Sequence, residues 1–102
     1  MDIKQLTEEM HRFVASKGWY AEASPKQQSP KNLAVSLAVE AAEVLELFQW
    51  DREKPDLAAL ASELADVGLY LLQMASVTGI DLEEAILNKL EMNYNRDWQS
   101  PT

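Results

Sequence analysis

Apolar residues along the chain recur at three- and four-residue intervals and show no strand-like alternation, a pattern that predicts helices throughout. The first apolar series, Ile3, Leu6, Met10, Phe13 and Val14, predicts a helix from about Ile3 to Lys17, stopped by Gly18 as a left-handed C′ residue. Trp19 to Lys31 holds Pro25, Pro30, Ser24 and Ser29 and reads as a long loop. A second helix begins with Ser29 as N-cap and Pro30 at N1 and is expected to reach Trp50. Its core stripe is Leu33, Leu37, Val44 and Leu47.

A charged turn, Asp51 to Asp56, leads into a third helix that starts at Pro55 or Asp56, runs to about Thr78 and stops at Gly79. Leu60, Leu64, Val67, Leu71 and Met74 form one apolar stripe on it, while Leu69 and Leu72 make the opposite side apolar too. A helix that is apolar all round is buried all round. Four helices cannot easily cover both sides of one member, so the second face is expected to meet another subunit. Asp81, with Glu84 three residues on, caps a fourth helix reaching about Asn95. The expected architecture is therefore an all-α four-helix bundle whose core is completed by dimerisation, with a dimer of dimers as the larger alternative. Residues 1–102 are taken as one domain.

Composition narrows the chemistry. The chain has 102 residues, no cysteine and a formal net charge of −8. The missing thiols remove disulfides, zinc–thiolate sites and cysteine nucleophiles. The acidic balance opposes binding of a nucleic-acid backbone, which needs an excess of Lys and Arg. The N-terminus lacks the basic and apolar regions of a signal peptide, and the uncharged run from Val67 to Ile80 is short for a membrane span. A cytoplasmic protein with no nucleic-acid polymer and no membrane as partner is the expectation.

The acids are not scattered evenly. Glu40-Ala41-Ala42-Glu43 lies on the second helix and Glu63-Leu64-Ala65-Asp66 on the third, and a spacing of three puts each pair on one helical face. Glu40 falls inside the core stripe of its helix. No Lys or Arg occurs from Leu33 to Trp50 or from Asp56 to Leu82, so neither pair has a local cationic partner. Four facing carboxylates in a low-dielectric interior repel by several kcal/mol and need protons or a cation. An all-oxygen donor set selects a hard ion, Mg²⁺ first and Mn²⁺ next. The plainer alternative is a solvated acidic face. A di-iron bundle would need Glu-x-x-His pairs, and the sole histidine, His11, lies elsewhere and reads as a surface residue.

The stretch Glu40-Ala-Ala-Glu43-Val-Leu-Glu46-Leu-Phe-Gln-Trp50, followed by Glu63-Leu-Ala-Asp66-Val, resembles the MazG-like family of nucleoside triphosphate pyrophosphohydrolases, in its short dCTPase-like branch. The likeness runs from about Trp19 to Arg96. It implies Mg²⁺-dependent hydrolysis of a (deoxy)nucleoside triphosphate to monophosphate and pyrophosphate in nucleotide-pool house-cleaning, and a homodimer or homotetramer. Glu40, Glu43, Glu63 and Asp66 are the expected metal ligands. Glu43 is the expected base, with Glu46 as a helper, and deoxynucleotides such as dCTP are the implied substrates.

Lys89, Asn93 and Arg96 form one polar face of the fourth helix and could hold phosphate oxygens; Lys89 would also serve the catalytic step. Salt bridges to Glu84 and Glu91 are the alternative use of that face. Lys31 and Asn32, at a helix N-terminus, are secondary substrate contacts. Trp19 and Trp50 offer stacking surfaces for a base, or else anchor the core. Tyr94 and Trp98 read as packing residues. Two competing functions stay open: a non-catalytic helical interaction module, and a related hydrolase acting on dUTP or phosphoribosyl-ATP.

Overall fold

The structure is a computed structural model, and it describes residues 1–49 and 55–97. Four α-helices and no strand occur among these residues: α1 (Ile3–Ser16), α2 (Pro30–Glu46), α3 (Leu57–Val77) and α4 (Leu82–Asn95). Each helix starts at a side-chain cap. Asp2 accepts from the Gln5 amide while Gln5 reaches back to the Asp2 N–H, a reciprocal box that satisfies two otherwise unpaired donors. Ser29 caps Asn32 N–H with Pro30 behind it, Asp56 caps Ala58 N–H, and Asp81 caps Glu84 N–H. Gly18 and Gly79 follow α1 and α3 at φ 74° and 76°, a conformation that a side chain would strain.

α2 ends at Glu46, one turn earlier than its apolar pattern suggests, and Leu47 to Gln49 form turns. Trp50, residues 51–54 of the charged turn and Trp98 lie outside the described residues. α3 packs against α2 and α1, and more lightly against α4. Met10 and Val14 of α1 meet Leu72 of α3 in the small core, with Trp19 and Leu82 against its edge. Leu33 is the fully buried residue of α2.

The expected core stripe of α3 is only partly covered. Leu64 is 53% exposed and Leu71 41%, whereas Leu72, Gln73 and Ala75 are the residues that bury. Hydrophobicity on every side of α3 does not say which side its own chain covers, and α1 chose the Leu72 side. Tyr94, expected to pack, is 88% exposed. α4 has no buried residue at all. The chain exposes 8012 Å², against about 5,800 Å² for a compact monomer of this mass. Its radius of gyration is 16.3 Å, where a compact chain of this length has about 13 Å. By length and composition α3 could also cross a bilayer, but it carries Glu63 and Asp66, and an internal helix of an assembly has the same profile.

Candidate metal and nucleotide site

α2 and α3 bring three of the four acids together. Glu40, Glu43 and Glu63 each offer a carboxylate oxygen, and these oxygens lie within 4.8 Å of one another. One Oε2 of Glu40 and one of Glu63 are buried and accept no hydrogen bond from the described residues. An unpaired buried carboxylate oxygen is costly, and native structures rarely leave one without a reason. Burial pushes the Glu40 carboxyl up to about 7, and hydrogen bonding to Glu43 and the charges of Glu43, Asp66 and Glu63 push the same way. Glu63 is also raised, first by its hydrogen bond with Glu43, then by burial and by the charges of Glu43 and Asp66; its bond with Glu40 opposes this. Such a group keeps protons or takes a cation.

Asp66 stands outside the close trio, but its charge acts on both Glu40 and Glu63. It also lines a cavity of about 330 Å³ between α1, α3 and the α1–α2 loop. The cavity is floored by Met10, Phe13 and Val14, and Trp19, Tyr70 and Gln73 stand around it. Trp19 meets Phe13 edge-on at 5.7 Å between centroids, and the Lys26 ammonium sits 4.0 Å from the centre of its indole. Trp19 is thus a core anchor and a cavity wall at once. Asp66 joins the acidic group to an aromatic pocket of ligand size.

The other candidates are placed differently. Asn32 donates its side-chain amide to the Gln27 carbonyl at 3.0 Å, which ties the loop to α2, and Lys31 is exposed beside it. Lys89 and Asn93 lie on α4, while Arg96 is its C-cap with extended backbone and so leaves the helical face expected for all three; none of them belongs to the acidic trio or to the cavity wall. Glu46 ends α2 as an exposed residue outside the trio. His11 is half-buried rather than a surface residue, bonded to the Tyr20 hydroxyl at 2.5 Å and to Ser76 Oγ at 2.6 Å. Tyr70 and Gln73 were not singled out from the sequence. Yet Glu63, Asp66, Tyr70 and Gln73 follow one another at spacings of three, four and three, a polar line down an apolar helix that marks one face.

An all-α fold in which Glu40 and Glu43 of one helix meet Glu63 of the next defines a class, and the comparisons agree: the chain belongs to the MazG-like family, whose profile matches residues 35–99. It is 35% identical over 104 residues to dCTP pyrophosphatase 1 of Homo sapiens, and 33% identical over 104 residues to the Mus musculus protein of that name. Both matches take in 93% of this chain and 56% of the relative, so the chain spans little more than half the length of those proteins. A pyrophosphatase from Archaeoglobus fulgidus has the same fold, with a TM-score of 0.79, 33% identity and coverage of 98% of this chain and 93% of its own.

Proposed function

We propose that the chain hydrolyses (deoxy)nucleoside triphosphates to monophosphate and pyrophosphate with the help of a divalent cation. One observation carries this: three carboxylates converge across α2 and α3 with two buried, unpaired oxygens, beside an aromatic cavity that Asp66 shares. The donor set is oxygen alone, which suits Mg²⁺ or Mn²⁺. Glu40, Glu43 and Glu63 would hold the ion, with Asp66 alongside. When bound, the ion would supply positive charge for the triphosphate and lower the pKa of a water.

The protein's own part is orientation and proton transfer. Glu43 takes the proton of a water that attacks the α-phosphorus in line with the departing pyrophosphate. Trp19 and Tyr70 hold the base in the cavity; Trp50, outside the described residues, is assigned to the base by the family resemblance alone. Lys31 and Asn32 stand where the loop meets α2, a secondary contact to the nucleotide. Lys89, Asn93 and Arg96 are assigned to the phosphates, Lys89 to the leaving group, and are delivered across an oligomer. The uncovered faces of α3 and α4 support a homodimer or homotetramer, with residues 1–102 acting as one domain. Removal of unwanted deoxynucleotides in the cytoplasm is the role that fits such an activity. The names of the mammalian relatives favour dCTP over dUTP or phosphoribosyl-ATP.

A panel of nucleoside triphosphates with Mg²⁺ in ¹⁸O-labelled water tests the reaction. Label in the monophosphate, with unlabelled pyrophosphate, is the expected result. Label in the pyrophosphate would move the attack off the α-phosphorus, and no turnover of any nucleotide would favour the interaction module.

A further inference from the structure

Gln73 is the one buried polar residue of the described chain, 3% exposed, and it stands on the cavity wall. A buried carboxamide must place two N–H donors and one carbonyl acceptor, and neighbouring groups decide which end is which. Here the decision starts from the backbone. The Lys26 carbonyl can only accept, so the Gln28 group 2.9 Å from it is the amide nitrogen. That fixes the Gln28 oxygen at the other end, and the Gln73 atom 2.8 Å from it must donate. The same Gln73 nitrogen gives its second hydrogen to the Tyr20 hydroxyl at 3.2 Å. The Tyr20 hydroxyl is bonded in turn to His11 Nδ1 at 2.5 Å, and His11 Nε2 to Ser76 Oγ at 2.6 Å. Burial raises the Tyr20 phenol above its ordinary value, which keeps the O–H in place for that bond.

The chain of bonds holds Gln73 in one orientation. Both of its hydrogens go to the loop, no hydrogen bond to its carbonyl oxygen is seen among the described residues, and the residue itself lines a largely apolar cavity. Reversing the amide would set its carbonyl oxygen against the Gln28 oxygen and lose that bond. The complement of a fixed acceptor is an N–H donor on the ligand. Cytosine and adenine carry an exocyclic amine, whereas uracil and thymine carry a carbonyl at the corresponding position and would set acceptor against acceptor.

We propose that Gln73 is a specificity-determining residue, its carbonyl oxygen selecting bases with an exocyclic amine and its orientation dictated by the Gln28–Gln73–Tyr20–His11–Ser76 chain. The proposal rests on the cavity being the base pocket. A site that bonds a substrate group rejects the analogue lacking it far better than a site that only fits its shape, so a preference of roughly ten- to hundredfold is expected.

The test is the ratio of kcat/KM for dCTP to that for dUTP, at fixed Mg²⁺, in the wild type and in Gln73→Leu, Gln73→Met and Tyr20→Phe. The wild type should favour dCTP at least about tenfold. Either Gln73 variant should bring the ratio close to one, chiefly through KM. Tyr20→Phe, which frees one amide hydrogen, should lower the ratio by less. A folded Gln73 variant that keeps the wild-type ratio overturns the proposal and leaves the hydrolase reading intact. A wild type that cleaves neither nucleotide overturns both. Should Gln73→Leu fail to fold, Gln73→Met and Tyr20→Phe still decide the question.

Discussion

Glu40 occupies a position where the apolar stripe of α2 would accommodate a leucine, and its environment drives its carboxyl up to about 7. A carboxyl whose pKa is higher in the folded than in the unfolded chain binds protons better when folded. The metal-free protein should therefore lose stability as pH rises from about 4.5, the ordinary value, to about 7, and change little above that. Melting curves across this window check it, and Glu40→Gln should flatten the dependence. Glu43→Ala and Asp66→Ala should each lower pyrophosphate release by at least about a hundredfold with helicity by circular dichroism unchanged. The acidic site was legible because its residues break the apolar pattern without cationic partners. The Gln73 chain was not, because His11, Tyr20, Gln28 and Ser76 are ordinary polar residues until the fold brings them together.

The elements begin and end where local chemistry puts them. Ser29, Asp56 and Asp81 could be read as caps because a short side-chain acceptor there meets N–H groups that nothing else satisfies. Asp81→Ala should cost about 1 kcal/mol in chemical denaturation, the usual price of a lost N-cap, with no change in the ratio of nucleotides cleaved. The last turn expected for α2 fails to form, and α2 gives way to turns at Leu47. Apolar periodicity gives the existence of a helix better than its last residue. It also leaves the facing undecided for α3, where Leu64 and Leu71 fit a core pattern yet remain open in the single chain.

At the scale of the molecule, the single chain is more open than its mass requires. It exposes about 2,200 Å² more than a compact protein of its mass, an excess of the size that obligate homodimers bury. Leu45 at 70% exposure, Leu64 and most of the apolar residues of α4 belong to that excess. Light scattering coupled to size exclusion should return a mass of two or four chains, and Leu64→Glu should shift it towards the monomer. The acidic centre lies at the α2–α3 contact of one chain, so all three carboxylates of the candidate site come from the same chain. Thermal unfolding with and without millimolar Mg²⁺ or Mn²⁺, in the wild type and in Glu40→Gln/Glu63→Gln, reaches that centre most directly. At a hundred times its dissociation constant the ion should stabilise the wild type by about 2.7 kcal/mol and leave the double variant unmoved. A wild type whose melting temperature is the same with either cation as with chelator would contradict a cation site at these carboxylates.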